Sequence, residues 1–213
     1  MIIDWQGLGD APSSPGVYAW YYKPDITDFD INKIIEDVYL LCNNNSRQEA
    51  QKIVETFIVK RIYGYFRSDP YNVKLEGPLM PPFTGRVDND IRVSYSLIER
   101  IVEDPKRLYN IREQLRVAGP LFSSPLYIGK SENLKDRLMT HKKLILKYRN
   151  EQIDLSTIAD SEATNFAIRV VQRNFLPEQL YVAIHSTLRS MDNVHVDIEH
   201  IFNRICYPIL GRN

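Results

Sequence analysis

The order of apolar and polar residues divides the chain into a few short strands and several long helical stripes. Val17-Tyr18-Ala19-Trp20-Tyr21-Tyr22 is a run of β-branched and aromatic residues. It follows the turn-rich Ala11-Pro12-Ser13-Ser14-Pro15-Gly16 and stops at Lys23-Pro24, so it predicts a strand. Over 30–42, Ile31, Ile34, Ile35, Val38 and Leu41 recur at helical spacing. Asn43-Asn44-Asn45-Ser46 breaks that helix. Ala50, Ile53, Val54, Phe57, Ile58 and Ile62 predict a second over 47–66. Residues 68–90, with Pro70, Gly77, Pro78, Pro81, Pro82 and Gly85, read as loop. Helices are expected near 91–102 and 105–117, ended by Gly119-Pro120.

A second short strand, Leu126-Tyr127-Ile128-Gly129, follows the turn Ser123-Ser124-Pro125. Ser131 is the expected N-cap of a basic amphipathic helix over Leu134–Leu146. Ala163–Arg173, with Phe166, Ile168, Val170 and Val171, reads as a strand. Pro177 is expected to open a helix to about Met191. Val194 to Ile205 predicts a last helix with Val194, Ile198, Ile201, Phe202 and Ile205 on its buried stripe. The two strands near the tyrosines share a lead-in, Ser-Ser-Pro, which suggests that they pair in one sheet with the helical block inserted between them. The expected class is α+β.

Composition adds exclusions. The chain has 213 residues, 44% hydrophobic and 25% charged, which excludes a mainly disordered or fibrous chain. A chain of this size buries enough surface to fold without disulfides. No apolar stretch suits a membrane span, and no signal peptide is expected at Met1-Ile2-Ile3-Asp4-Trp5. Cys42 and Cys206 read as reduced thiols of a cytoplasmic protein, with Cys206 a small core residue. Formal net charge is zero, which argues against a broadly basic nucleic-acid binder. The charge is uneven, however: residues 126–150 carry seven basic against two acidic side chains. That segment suits either a phosphate footprint or a solvated helix face.

Gly16-Val17-Tyr18, Tyr127-Ile128-Gly129, the following Lys130-Ser131-Glu132-Asn133-Leu134-Lys135-Asp136-Arg137-Leu138 and the later Glu199 together resemble the GIY-YIG nuclease domain. The resemblance implies a small antiparallel three-stranded sheet flanked by helices. It places the nuclease core in residues 1–22 and 121–213, with 23–120 as a mostly helical insertion lobe of about 100 residues. Between Tyr18 and Tyr127 lie 108 residues, where compact members of the family have about a dozen. By the same resemblance the catalytic set includes Tyr18, Tyr127, Arg137, Glu199 and Asn213, and Lys130 and His141 join it as catalytic candidates by their placement after the second strand and four residues from Arg137. Arg137 lies eight residues after Gly129, Glu199 nine before Pro208, and Asn213 five after Pro208, where the family usually has three. The implied activity is a metal-dependent endonuclease using Mg²⁺ or Mn²⁺, with Glu199 as the metal ligand. The expected partner is double-stranded DNA, in the manner of a restriction or defence nuclease; a homodimer is compatible with it and a membrane is not.

The residue types suit that chemistry. Phosphodiester hydrolysis needs a base for water, a cation for the developing charge and a metal for the leaving oxygen. A tyrosine serves as base only if positive charge lowers its pKa, a role for which Lys130 is placed. Arg137 has a planar donor fork that fits a phosphate, and Glu199 offers one hard oxygen ligand for Mg²⁺. Each residue also has a plain alternative: Tyr18 and Tyr127 as strand aromatics, Arg137 and His141 as a solvated helix face, Glu199 as the polar side of its helix. His195, Glu199 and His200 do not make a structural zinc site, because His200 is rotated about 100° from Glu199 on a helix. Lys60, Arg61 and Arg67, interleaved with Tyr63, Tyr65 and Phe66, suit either nucleic-acid contact or packing of the insertion. Lys142 and Lys143 are the basic contacts expected on the helix after the second strand. Two competing functions remain: a non-catalytic binding module of the same fold, and an RNA-directed toxin nuclease.

Overall fold

A computed structural model describes residues 1–67, 71–87, 91–151, 166–187 and 193–211. The chain forms two compact units, Met1–Asp25 with Ile111–Asn213, and Ile26–Asn110. The second of these boundaries falls inside a helix.

The first unit is built on an antiparallel sheet of order β1-β6-β2-β5: β1 Ile2–Asp4, β2 Gly16–Tyr22, β5 Tyr127–Ser131 and β6 Leu180–Ser186. Strands β2 and β5, 108 residues apart at their tyrosines, are direct neighbours, with Tyr18 opposite Gly129 and Trp20 opposite Tyr127. The sheet thus has four strands, where the resemblance implied three. The added β1 is only three residues long and pairs with β6, Ile3 opposite Val182. So short a segment carries no readable alternation. Strand β2 is buried on one face and largely covered on the other, where Ala19 and Tyr21 are half-buried, which fits its continuous apolar run. Tyr18, Trp20 and Tyr22 share one face by alternation. Trp20 is fully buried there, stacked on Phe166 at 5.4 Å between ring centroids.

Helices α4 Arg107–Phe122, α5 Leu134–Asn150, α6 Phe166–Gln172 and α7 Val194–Cys206 complete this part of the chain. Helix α5 buries Leu134, Leu138, His141 and Ile145 on one stripe. Its cap is Asn133, whose side chain accepts from the Asp136 amide at 3.2 Å. Ser131 instead ends β5, its hydroxyl donating to the Asn133 carbonyl at 2.8 Å.

Two expectations exchange places. The run read as a strand over 163–173 is helix α6 from Phe166 onward; 163–165 lie outside the described residues. All four of Phe166, Ala167, Ile168 and Val170 are buried, and a short apolar run without polar alternation does not distinguish strand from helix. The helix expected from Pro177 is one 3-10 turn, Pro177–Gln179, followed by β6. Leu180, Tyr181, Val182 and Ile184 are buried there, and β-branched and aromatic content outweighs the proline start signal. Residues 188–191 of that expected helix lie outside the described residues. Helix α4 runs through Gly119 and Pro120 to Phe122 rather than ending before them. On α7 the expected buried stripe is not buried. Ile201 and Ile205 are 54% and 66% exposed, Phe202 is exposed, and the buried residue is His195. Cys206 is half-buried and unpaired, not a core residue.

The second unit contains α1 Asp28–Asn43, α2 Arg47–Arg61, α3 Tyr95–Glu103 and a two-stranded hairpin, β3 Tyr71–Gly77 with β4 Met80–Val87. Helix α1 opens on a capping box between Thr27 and Asp30. Ile31, Ile34, Val38, Val54, Ile58 and Ile101 form the apolar interior. Arg47 bonds Glu99 at 2.7 Å. The hairpin replaces the loop read over 68–90, of which 68–70 and 88–90 lie outside the described residues. Pro81 and Pro82 fit a strand because each strand of a two-stranded ribbon is an edge. The insertion is therefore helical with a β-ribbon. Among the described residues no helix is long and apolar enough to cross a membrane.

Candidate active site

The site begins with a missing side chain. A Cβ at position 129 would lie 2.5 Å from the Tyr18 hydroxyl oxygen and 2.8 Å from Tyr127 Cε1. Only glycine leaves room for both tyrosine rings, which sit with centroids 6.2 Å apart. The same reason fixes Gly16, whose added Cβ would collide with the His185 carbonyl and come within 2.9 Å of Leu134 Cδ1.

Helix α5 supplies the partners. Its first turn is tied to the lead-in of β2: the Leu134 amide donates to Ser14 O at 3.1 Å and the Lys135 amide to Pro12 O at 3.2 Å. Arg137 and His141, four apart, therefore project together onto Tyr18. Arg137 Nε donates to the Tyr18 hydroxyl oxygen at 3.2 Å, and that hydroxyl lies 2.9 Å from His141 Nε2. Phe166 closes the back of the pocket, 5.1 Å from the Tyr127 ring and 5.3 Å from that of His141.

Burial sets the protonation. His141 is almost wholly inaccessible, and desolvation, helped by the Arg137 charge, pushes its imidazole down to about 3. The ring is neutral. Tyr18 is raised above the ordinary phenol value, first by desolvation and then by Tyr127; the hydrogen bond and charge of Arg137 pull the other way and lose. Arg137 is itself lowered by desolvation, but its attraction to Tyr18 and Tyr127 outweighs this and leaves it above the usual guanidinium range. Arg137 donates into the phenol oxygen from one side, and that oxygen shares one proton with His141 Nε2 on the other. The His141 Nδ1 is buried with no hydrogen-bond partner among the described residues. The resting pair is phenol and neutral imidazole, not a phenolate. The cation at the phenol is Arg137, where Lys130 was expected.

This arrangement has a cost that depends on pH. Unfolded, the imidazole binds a proton near 6.5. Folded, it resists protonation until about 3. Between those values the unfolded state holds more protons, so stability falls as pH falls through the window, by a few kcal/mol at its acid end. Urea unfolding of the wild type at pH 7.5 and 5.5 should show this loss, and a His141→Gln chain should lack that share of it. An equal slope in both proteins would show that His141 does not resist protonation in the fold.

The acidic side is held on the other flank of β5. Alternation sends position 129 towards Tyr18 and Lys130 the opposite way, level with Val17. The Lys130 ammonium is 3.8 Å from Glu199 on α7. Asn203, one turn on, donates from Nδ2 to Glu199 Oε1 at 2.7 Å. His195, one turn back, meets Glu132 at 2.8 Å. The structure thus brings Tyr18, Tyr127, Arg137 and His141 into one cluster and Lys130 with Glu199 into another. Among the described residues Glu199 makes no hydrogen bond or ion pair with the first cluster. Asn203 and Glu132 were not foreseen. The spacing of 195, 199 and 203 is the signal that would have shown Asn203, whereas the partnership of Glu132 with His195 depends on the packing of α7 against β5.

The expected nucleic-acid contacts fare unevenly. Lys142 donates to the Trp5 carbonyl at 3.0 Å, with its ammonium 5.3 Å from the centre of the Trp5 ring, so it serves packing. Lys143 is exposed. Arg61 is paired with Asp30 across the α1–α2 contact, and Lys60 and Arg67 are exposed in the second unit. Asn213 lies outside the described residues.

Among the described residues no group of three or more histidine, cysteine or acidic side chains could cage a metal. The donor set at Glu199 is one carboxylate beside one amide. That suits Mg²⁺, which keeps most of its waters and takes one or two protein carboxylates plus phosphate. Comparison with family models, with curated proteins and with solved structures gives no match for this chain.

Proposed function

We propose that the chain is a metal-dependent endonuclease of the GIY-YIG type, hydrolysing phosphodiester bonds in nucleic acid, with DNA as the target. The observation that carries this reading is the Tyr18 hydroxyl held between Arg137 Nε and His141 Nε2. A purely structural tyrosine needs one partner for its hydroxyl. Here a cation and a neutral imidazole are spent on one oxygen, beside a glycine that leaves room for the tyrosine ring.

In this reading the Tyr18 hydroxyl orients the attacking water, whose proton leaves to bulk solvent, and His141, neutral throughout, holds the phenol in place. Arg137 keeps the phenol oxygen oriented and opposes charge that develops on the phosphate. Glu199, steadied by Asn203, would hold Mg²⁺ or Mn²⁺. Once bound, that ion would stabilise the leaving oxygen. Lys130, beside Glu199 on the other face of β5, would neutralise phosphate charge.

The test is incubation of the full chain with supercoiled plasmid and with RNA, in Mg²⁺ and in EDTA. Cleavage of the plasmid in Mg²⁺, abolished by EDTA, is the expected result. Cleavage of RNA alone would move the target. No cleavage of either polymer, by a protein that still binds them, would favour the non-catalytic module.

A further inference from the structure

Helix α7 presents three polar residues four apart, His195, Glu199 and Asn203, which fall on one stripe of the helix. Each has a partner on that side. His195 Nε2 donates to Glu132 Oε1 at 2.8 Å, Glu199 meets Lys130 at 3.8 Å, and Asn203 bonds Glu199 at 2.7 Å. Lys130 and Glu132 lie two residues apart across the end of β5. Two charged contacts therefore run as rungs between α7 and the β5–α5 connection.

The rungs are unequal. At 3.8 Å, between partly exposed side chains, the Lys130–Glu199 pair is a weak contact and cannot by itself set where the carboxylate stands. His195 differs, being the buried residue of α7 at 5% exposure. A buried ring N–H must be satisfied, and Glu132 satisfies it from outside, its own side chain 76% exposed. The hydrogen bond from His195 to Glu132 thus fixes the first turn of α7 against the turn that follows Gly129-Lys130-Ser131, and Glu199 is carried one helical turn further along.

We propose that His195 and Glu132 form a positioning pair that sets the Glu199 carboxylate against β5 and so tunes its affinity for the divalent cation. The proposal rests on the reading of Glu199 as the metal-binding carboxylate. Neither residue touches the reacting atoms in this scheme. Their effect is on where Glu199 stands, and so on metal affinity rather than on the rate once metal is bound.

The test uses the full chain with Glu132→Ala, which removes the acceptor, and Glu132→Gln, which keeps one. Because the Glu132 side chain is mostly exposed, neither change threatens folding. Two measurements are made: amide hydrogen exchange along α7 without metal, and a Mn²⁺ titration followed by electron paramagnetic resonance. Glu132→Ala should raise exchange in the first turns of α7 about tenfold, as expected for orphaning one buried donor. It should weaken Mn²⁺ binding by about tenfold or more, and leave plasmid cleavage at saturating Mn²⁺ within about twofold of wild type. Glu132→Gln should restore both. Unchanged exchange in Glu132→Ala, or raised exchange with unchanged Mn²⁺ affinity, would overturn the proposal while wild-type Mn²⁺ binding stands. A wild-type chain that binds no Mn²⁺ would remove the metal role from Glu199 and this proposal with it.

Discussion

Replacing Glu199 by alanine is expected to abolish plasmid cleavage at ordinary Mg²⁺ while leaving the fold intact. The carboxylate contacts only Lys130 and Asn203 among the described residues, so its loss removes a weak, partly exposed ion pair and one hydrogen bond. The stability cost should be about 1 kcal/mol, readable as a small shift in a urea midpoint. Catalysis should lose far more, because no other acidic side chain stands in hydrogen-bond contact with this site to replace the ligand. Nucleic-acid binding should hold or tighten. Removing Glu199 releases Lys130 from its acidic neighbour, and each additional free cation strengthens contact with a phosphate backbone at low salt. Cleavage falling to background with filter-binding affinity preserved is the expected pair of results. A variant that cleaves at the normal rate would remove Glu199 from the mechanism.

Where several residues repeat one period, the sequence shows the fold. Helices α1, α2 and α5 carry three or more apolar residues at helical spacing, and strand β2 is a run of β-branched and aromatic side chains closed by proline. The pairing of β2 with β5 could be anticipated from their shared lead-in, although more than a hundred residues lie between them. Residues 166–172 and 180–186 exchange helix and strand relative to expectation because both are short, mostly buried apolar runs. Phe166-Ala167-Ile168 and Tyr181-Val182-Ala183 look alike until their neighbours are known. Strand β1 is legible only from its partner β6, which the sequence alone does not supply. The α7 stripe was misread because periodicity shows that a helix is amphipathic, not which side is covered.

The site divides in the same way. That Arg137 and His141 share a face with each other follows from their spacing, but that they face Tyr18 depends on the bonds from the Leu134 and Lys135 amides to the lead-in of β2, which the sequence does not show. What no spacing contains is the degree of burial at one hydroxyl. Desolvation outweighs the adjacent guanidinium, so Tyr18 rests as a phenol between Arg137 and a neutral His141, not as the phenolate that an electrostatic reading of Lys130 suggests.

Arg137 gives the sharpest test of that arrangement. In this structure its Nε is committed to Tyr18. A guanidinium can hold the phenol through Nε and still present its terminal nitrogens to a phosphate, because the donors of the fork point in different directions. A lysine has one nitrogen and must choose. Arg137→Ala is therefore expected to lower the cleavage rate at saturating Mg²⁺ by at least ~100-fold, the magnitude typical of losing a preorganised donor to developing charge. Arg137→Lys should recover less than about a tenth of that loss, although it restores the charge. Substrate affinity should change far less than rate in both variants, since one cation of several on the binding surface is removed but the transition-state contact is lost entirely. Single-turnover rates and binding measured on the same plasmid fragment separate the two effects. A lysine variant with a near-normal rate would reduce Arg137 to a general positive charge, and the bridge from Nε to Tyr18 would then be packing rather than catalysis.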